Sequence, residues 1–212
     1  DGPYPTVVNY SGYSPSQPGK SLGGMAEAFC GAYPVLCNAP SAPAALIATV
    51  LGFASVGVNM RGTGCSGGAY DYFEPLQVMD GYDIVEIVAR QAWVKHHHVG
   101  MVGLSFPGIA QLFTAKAKPP SLAAIAPMSV IGNTTTTMVP GGLYNVGFAM
   151  EWIEMVLDKA DPYAHGWIQD VVDGGDALCA ENQLLHSQKL DVIQKAYDNP
   201  YYTDAVAKPL DP

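Results

Sequence analysis

Val99-Gly100-Met101-Val102-Gly103-Leu104-Ser105-Phe106-Pro107-Gly108-Ile109 changes its periodicity at a single residue. Up to Leu104 it is a short apolar run, the pattern of a strand covered on both faces. From Ile109 to Lys116 the residues are helix-compatible, and Pro119-Pro120 ends that stretch. Ser105 stands at the join. A sharp strand-to-helix turn lifts a hydroxyl out of a sheet, and the small neighbours Gly103 and Gly108 let the backbone turn tightly. The helix start then offers the Phe106 amide to a developing negative charge. This arrangement points to Ser105 as the nucleophile of an acyl-transfer site. The spacing departs from the usual Gly-x-Ser-x-Gly elbow: Pro107 takes the second glycine's place and Gly108 comes one position late. Proline is tolerated in a first helical turn because that amide has no intrahelical partner.

Working outward, strand-like and helix-like runs alternate. Thr6 to Tyr10 reads as a strand, followed by a Gly/Ser/Pro loop, and residues 42 to 51 are Ala-rich and helix-compatible. Ala54 to Met60 reads as the next strand, and Val78 to Trp93 as a helix with an apolar face of Ile84, Val85, Ile87, Val88 and Ala92. After the serine helix, Leu122 to Pro127 reads as a fourth strand. This order predicts an α/β fold: a mostly parallel sheet with right-handed crossovers and helices on both faces. Past Pro127 the pattern changes to a four-threonine loop, Thr134 to Thr137, and helical stretches over 143 to 159 and 178 to 197. Two regions are therefore expected, the core over 1–132 and a helical cap over 133–212.

Composition narrows the function. Of the 212 residues 49% are hydrophobic and 14% charged, which suits a packed domain rather than a disordered chain. The net charge of −9, with Lys and Arg scattered singly, excludes nucleic acid and an anionic membrane surface as partners, since both need a basic face. No apolar run approaches the roughly 20 residues of a membrane span. Four cysteines, 17 prolines and 23 glycines suit a secreted or cell-envelope protein. Cys30 and Cys37 bracket a short loop and are expected to pair. That leaves Cys65 and Cys179 to bridge a long one, tying the cap to the glycine-rich loop.

Arg61-Gly62-Thr63-Gly64-Cys65-Ser66-Gly67-Gly68, Asp80-Gly81-Tyr82-Asp83, Trp93, the run Val99 to Gly108, and Ala124-Ile125-Ala126-Pro127 follow one another in a familiar order. Together they resemble the X-prolyl dipeptidyl-peptidase and cocaine-esterase (CocE/NonD) family of serine hydrolases over about residues 4 to 130. The resemblance implies an α/β-hydrolase core with a helical cap, and a Gly-x-Ser-x-x-Gly nucleophile motif, which accounts for the late Gly108. It implies a small ester or peptide substrate and no cofactor. It also implies a tyrosine hydroxyl in the oxyanion hole, supplied by the loop after the early strand. Tyr13 is the matching position, with Tyr10 as its rival. In that family the acid and histidine lie beyond the cap, so the chain is expected to be part of a longer enzyme with an incomplete core and triad.

Within the chain His165 and His186 follow Ser105, but both sit in cap-like sequence and are poor candidates for the base. Gly62-Thr63-Gly64-Cys65-Ser66-Gly67 matches a dinucleotide fingerprint, yet aromatic residues and Pro75 follow where a phosphate-binding helix should begin. His96-His97-His98 reads as a solvated turn rather than a metal site, because adjacent side chains diverge. The expected function is that of a serine hydrolase cleaving an ester or amide bond through an acyl-enzyme. A catalytically silent envelope or assembly protein keeping the hydrolase shell is the alternative.

Overall fold

The computed structural model describes residues 2–17, 31–33, 40, 42–70, 75–133, 136–137, 139–143, 145, 147–186 and 194. Its centre is a four-stranded sheet in the order β2-β1-β3-β4, formed by β1 (Tyr4–Ser11), β2 (Ala54–Asn59), β3 (Val94–Leu104) and β4 (Leu122–Met128). Every pairing is parallel, as the strand–helix alternation predicts. Helices α1 (Pro43–Val50), α2 (Pro75–Ala89) and α3 (Phe106–Lys116) make the crossovers.

Strand alternation assigns the helices to faces. Ser55 Oγ donates to the Ala45 carbonyl of α1 at 3.0 Å, and Thr49 Oγ1 donates to Ser55 Oγ at 2.9 Å, so that side of β2 meets α1. Val56 and Val58 point the other way, into the main core. Val8, Tyr10, Met101, Val85, Phe106, Ile109 and Phe113 fill that core between sheet, α2 and α3. Burying a side chain of this size contributes about 1.5–3 kcal/mol. Gly81 of α2 lies directly against the Thr114 side chain of α3, which fills the space a Cβ at position 81 would need, so these two helices pack closely at that point.

Several boundaries differ from expectation. Helix α2 runs from Pro75 to Ala89 rather than from Val78 to Trp93, because proline is at home in a first turn and begins the helix early. Strand β3 reaches back to Val94, through the histidine run. His96 and His97 have φ of 60° and 54°, and the β1–β3 register shifts between Tyr4 and Thr6, so the expected turn is an exposed irregularity inside the strand. Serine helix α3 starts at Phe106, immediately after Ser105, and not at Ile109.

Beyond β4 come α4 (Phe148–Leu157), a helical turn at Asp158–Ala160, α5 (Gly166–Asp173) and α6 (Ala177–Gln183). Helix α5 lies outside the helical stretches the sequence predicts; it is short and opens on glycine, though Trp167 and Ile168 give it a buried side. The expected helix over 178 to 197 is seen to Gln183, and most of its later part lies outside the described residues. So does the expected Cys30–Cys37 pair.

Candidate active site

In this sheet the chain moves outward from β1 to β2, then returns past β1 to place β3 on its other side. Loops leaving the carboxyl ends of β1 and β3 therefore diverge, and the crevice between them is where open α/β sheets bind ligands. Ser105 follows β3 and Tyr13 follows β1. Topology thus brings Tyr13 to the ring of Phe106, the residue after Ser105, across most of the core sequence.

Ser105 is the capping residue of α3, with φ 67° and ψ −122°. An L-residue rarely adopts this conformation, which costs about 1–3 kcal/mol unless the surroundings impose it. Here they do. The Ser105 amide donates to the Met128 carbonyl at 2.8 Å, and the Ser105 carbonyl accepts from the Gly108 and Ile109 amides at 2.8 and 2.9 Å. Flanking glycines are required sterically. A Cβ on Gly103 would come within 2.6 Å of Pro107 Cβ, and one on Gly108 within 2.8 Å of the Met128 carbonyl oxygen. Gln111, fully buried, accepts from the Ala126 amide at 2.9 Å and donates to the Pro107 carbonyl at 2.9 Å, which fastens the first turn of α3 to β4.

Phe106 points its ring down into the core and is wholly buried. Around it gather Tyr13, Tyr70 and Trp152, with edge-to-face ring centroids at 5.5, 6.5 and 5.4 Å. These rings come from the β1 loop, the glycine-rich loop and α4. The hydroxyl of Tyr13 accepts a hydrogen bond from Trp152 Nε1 at 2.6 Å. Over its ring lies Lys159 Nζ, 5.0 Å from the centroid, and burial holds that ammonium below the ordinary lysine pKa. Tyr10 is turned the other way. It is buried, and its hydroxyl donates to the Gln77 carbonyl of α2 at 3.0 Å. Of the two tyrosines, Tyr13 is the one beside Phe106.

The glycine-rich loop is a set of tight turns, closed by the Gly62 amide on the Gly67 carbonyl at 3.0 Å, with left-handed φ at Gly62, Gly64 and Gly68. The next described helix along the chain is α2, beginning at Pro75, so among the described residues no helix begins at these glycines. Arg61 anchors one side of the loop through a two-pronged pair with Asp80 of α2, both contacts at 2.6 Å. The other side is held by α6 and the turn after it. Cys65 and Cys179 form a disulfide with Cα atoms 4.7 Å apart, as parity suggests. Asn182 donates to the Cys65 carbonyl and Gln183 to the Gly64 carbonyl, both at 2.9 Å. His186 is buried with Nε2 2.7 Å from the Ser66 carbonyl oxygen, so its imidazole serves this junction rather than Ser105. His165 caps α5.

Trp152 and Lys159 carry no signal of this role in the sequence. They lie seven residues apart on one amphipathic stripe, which by itself reads as an ordinary packing face. Only the docking of α4 onto the β1 loop shows where the stripe lands.

The pattern of the X-Pro dipeptidyl-peptidase family (S15) matches residues 1–207. Two crystal structures of a CocE/NonD family hydrolase from Staphylococcus aureus superpose with TM-scores of 0.63 and 0.64 at 20% identity. Each match covers 94% of this chain and 32% of the other, so the chain spans about a third of their length. At that identity the likeness speaks for the fold, an α/β-hydrolase core. A search of curated protein sequences returns no match. A family pattern that extends over nearly the whole chain decides the matter: the chain belongs to the X-Pro dipeptidyl-peptidase (S15) family.

Proposed function

We propose that this chain carries the nucleophile and oxyanion hole of a secreted or cell-envelope serine hydrolase. The observation that carries the reading is the left-handed Ser105 at the apex of the β3–α3 turn. Such a turn presents the hydroxyl at the sheet's carboxyl edge and starts a helix beneath it, the two requirements of an acyl-transfer nucleophile. Ser105 Oγ gives its proton to a base as it bonds to the substrate carbonyl carbon. Negative charge on the carbonyl oxygen is then held by the Phe106 N–H and the Tyr13 hydroxyl. Collapse breaks the bond to the leaving alcohol or amine, which takes up the proton, and water hydrolyses the resulting acyl-serine. Family resemblance assigns the base and its acid to sequence beyond residue 212.

Residues 133–212 act as a cap over the site, tied to the core by Cys65–Cys179. That bond suits an oxidising compartment, and no helix among the described residues is long and apolar enough to cross a membrane. The substrate is a small ester or peptide. From Phe106 to Met150 there is no acidic residue to meet a substrate ammonium, which favours acyl esters over amino-terminal X-Pro peptides.

Fluorophosphonate labelling of the full-length protein tests the reading. The probe should attach at Ser105, Ser105→Ala should abolish attachment, and Tyr13→Phe should slow it by about one to three orders of magnitude. Tyr10→Phe, by contrast, should label at the wild-type rate. Labelling that survives in Ser105→Ala, or no labelling of the wild type, rejects the proposal.

A further inference from the structure

We infer that Trp152, on α4, is a positioning residue that fixes the Tyr13 hydroxyl as a hydrogen-bond donor to the reacting carbonyl oxygen. The inference rests on the oxyanion role proposed above for Tyr13 and adds what makes that role possible.

A phenolic hydroxyl is ambivalent. It has one proton and accepts as readily as it donates, and its O–H prefers the ring plane, where it has two directions to choose from. An oxyanion hole needs only the donor, aimed in advance. Indole Nε1–H is a donor with no acceptor capacity. At 2.6 Å it fills an acceptor position on the Tyr13 oxygen, and the phenolic proton cannot point back at it. The proton is left to the directions facing away from Trp152. Accepting a hydrogen bond also polarises the hydroxyl and strengthens the bond it donates.

Trp152 is itself held firmly enough to impose this. Ala149, Ile153, Val156 and Leu157 bury the inner side of α4. The indole stands edge-to-face against Phe106 at 5.4 Å and against Tyr13 at 6.5 Å. Lys159 then rests over the Tyr13 ring from the same helical stripe. So α4 and the helical turn after it grip Tyr13 by its hydroxyl and by its ring face. Through Phe106 the same aromatic cluster also touches the residue whose backbone N–H is the second donor. Oxyanion stabilisation would thus depend on a side chain outside the sheet core, 139 residues from Tyr13.

The test is a double-mutant cycle in the full-length protein, with p-nitrophenyl butyrate as the probe ester. Trp152→Phe removes the N–H and keeps an aromatic ring against Phe106. It should lower kcat about 5- to 20-fold with KM within about twofold, a smaller loss than Tyr13→Phe causes. In the Tyr13→Phe background the same change should have no further effect, because the hydroxyl it orients is gone. An unchanged kcat in Trp152→Phe, a loss confined to KM, or an equal loss in both backgrounds overturns the inference while leaving Tyr13's own role standing. Full activity in Tyr13→Phe takes down that role and the inference together. An independent reading needs no Trp152 variant: the indole N–H resonance Raman band of the wild type should move on Tyr13→Phe. A band that stays in place also overturns the inference.

Discussion

Gly12 lies so close to the ring of Phe106 that a Cβ at position 12 would stand 2.7 Å from Phe106 Cε1 and 2.7 Å from the Tyr70 hydroxyl. The β1 loop can therefore descend onto the elbow only if residue 12 has no side chain. Tyr13 takes its place beside Phe106 as a consequence. Gly12→Ala should force the loop outward, at a cost of about 1–3 kcal/mol for overpacking. If Tyr13 serves the oxyanion, kcat should fall at least about tenfold, since a displacement of an ångström costs far more in rate than in stability. Urea unfolding and steady-state kinetics on the full-length protein measure both.

The conformation of Ser105 predicts a conflict between stability and chemistry. At φ 67° and ψ −122° glycine is at ease and serine is not. Ser105→Gly should raise the unfolding free energy by about 1 kcal/mol, the strain relieved exceeding the extra freedom of the unfolded chain. Ser105→Ala keeps the strain and should leave stability near wild type. Both variants should be inactive. A Ser105→Gly protein less stable than Ser105→Ala would show that the turn is not strained in the way its angles imply.

Cys65–Cys179 closes a loop with a sequence separation of 114 residues. In the chain-entropy model a loop of that size limits the unfolded chain by roughly 4–5 kcal/mol. The paired Cys65→Ala/Cys179→Ala variant should accordingly unfold at a clearly lower urea midpoint. Folded, it should keep most of its activity, because Asn182, Gln183 and His186 still hold the glycine-rich loop by hydrogen bonds. A variant with an unchanged midpoint would remove the bridge from the account of stability.

Lys159 makes stability depend on alkaline pH. Its folded pKa is depressed by burial below the unfolded value of about 10.4, so the folded state holds the proton less tightly. The penalty of burying the ammonium is complete below the depressed pKa and fades as pH rises from there towards 10.4. Tyr13 is the titratable group whose ring it faces. Lys159→Met, which keeps the apolar stem, should therefore gain most over wild type near neutral pH and lose that gain towards pH 10. Urea midpoints of the two proteins at pH 7 and pH 10 give the comparison. An advantage that grows with pH contradicts the sign.

Local chemistry made much of this protein legible in advance. Val99 to Gly108 contained its own instructions: apolar residues for a buried strand, a glycine on each side of Ser105, and a proline suited to a first helical turn. Cys65 and Cys179 were matched by parity and position alone. Boundaries are less legible where two local preferences compete, as at Pro75 and in the histidine run, where strand pairing with β1 on either side carries β3 through residues that favour a turn. What the chain could not reveal locally is which of its tyrosines stands at the elbow, and what stands against it. Tyr10 and Tyr13 are three residues apart and chemically identical. Strand alternation sends Tyr10 towards α2, and the bare backbone of Gly12 lets Tyr13 reach Phe106. Trp152 and Lys159 have the spacing of any amphipathic stripe, and a stripe specifies that a face will be buried without naming its partner. Tertiary structure alone decided that partner, because an indole donates its hydrogen bond to whichever oxygen the packing of α4 brings within reach.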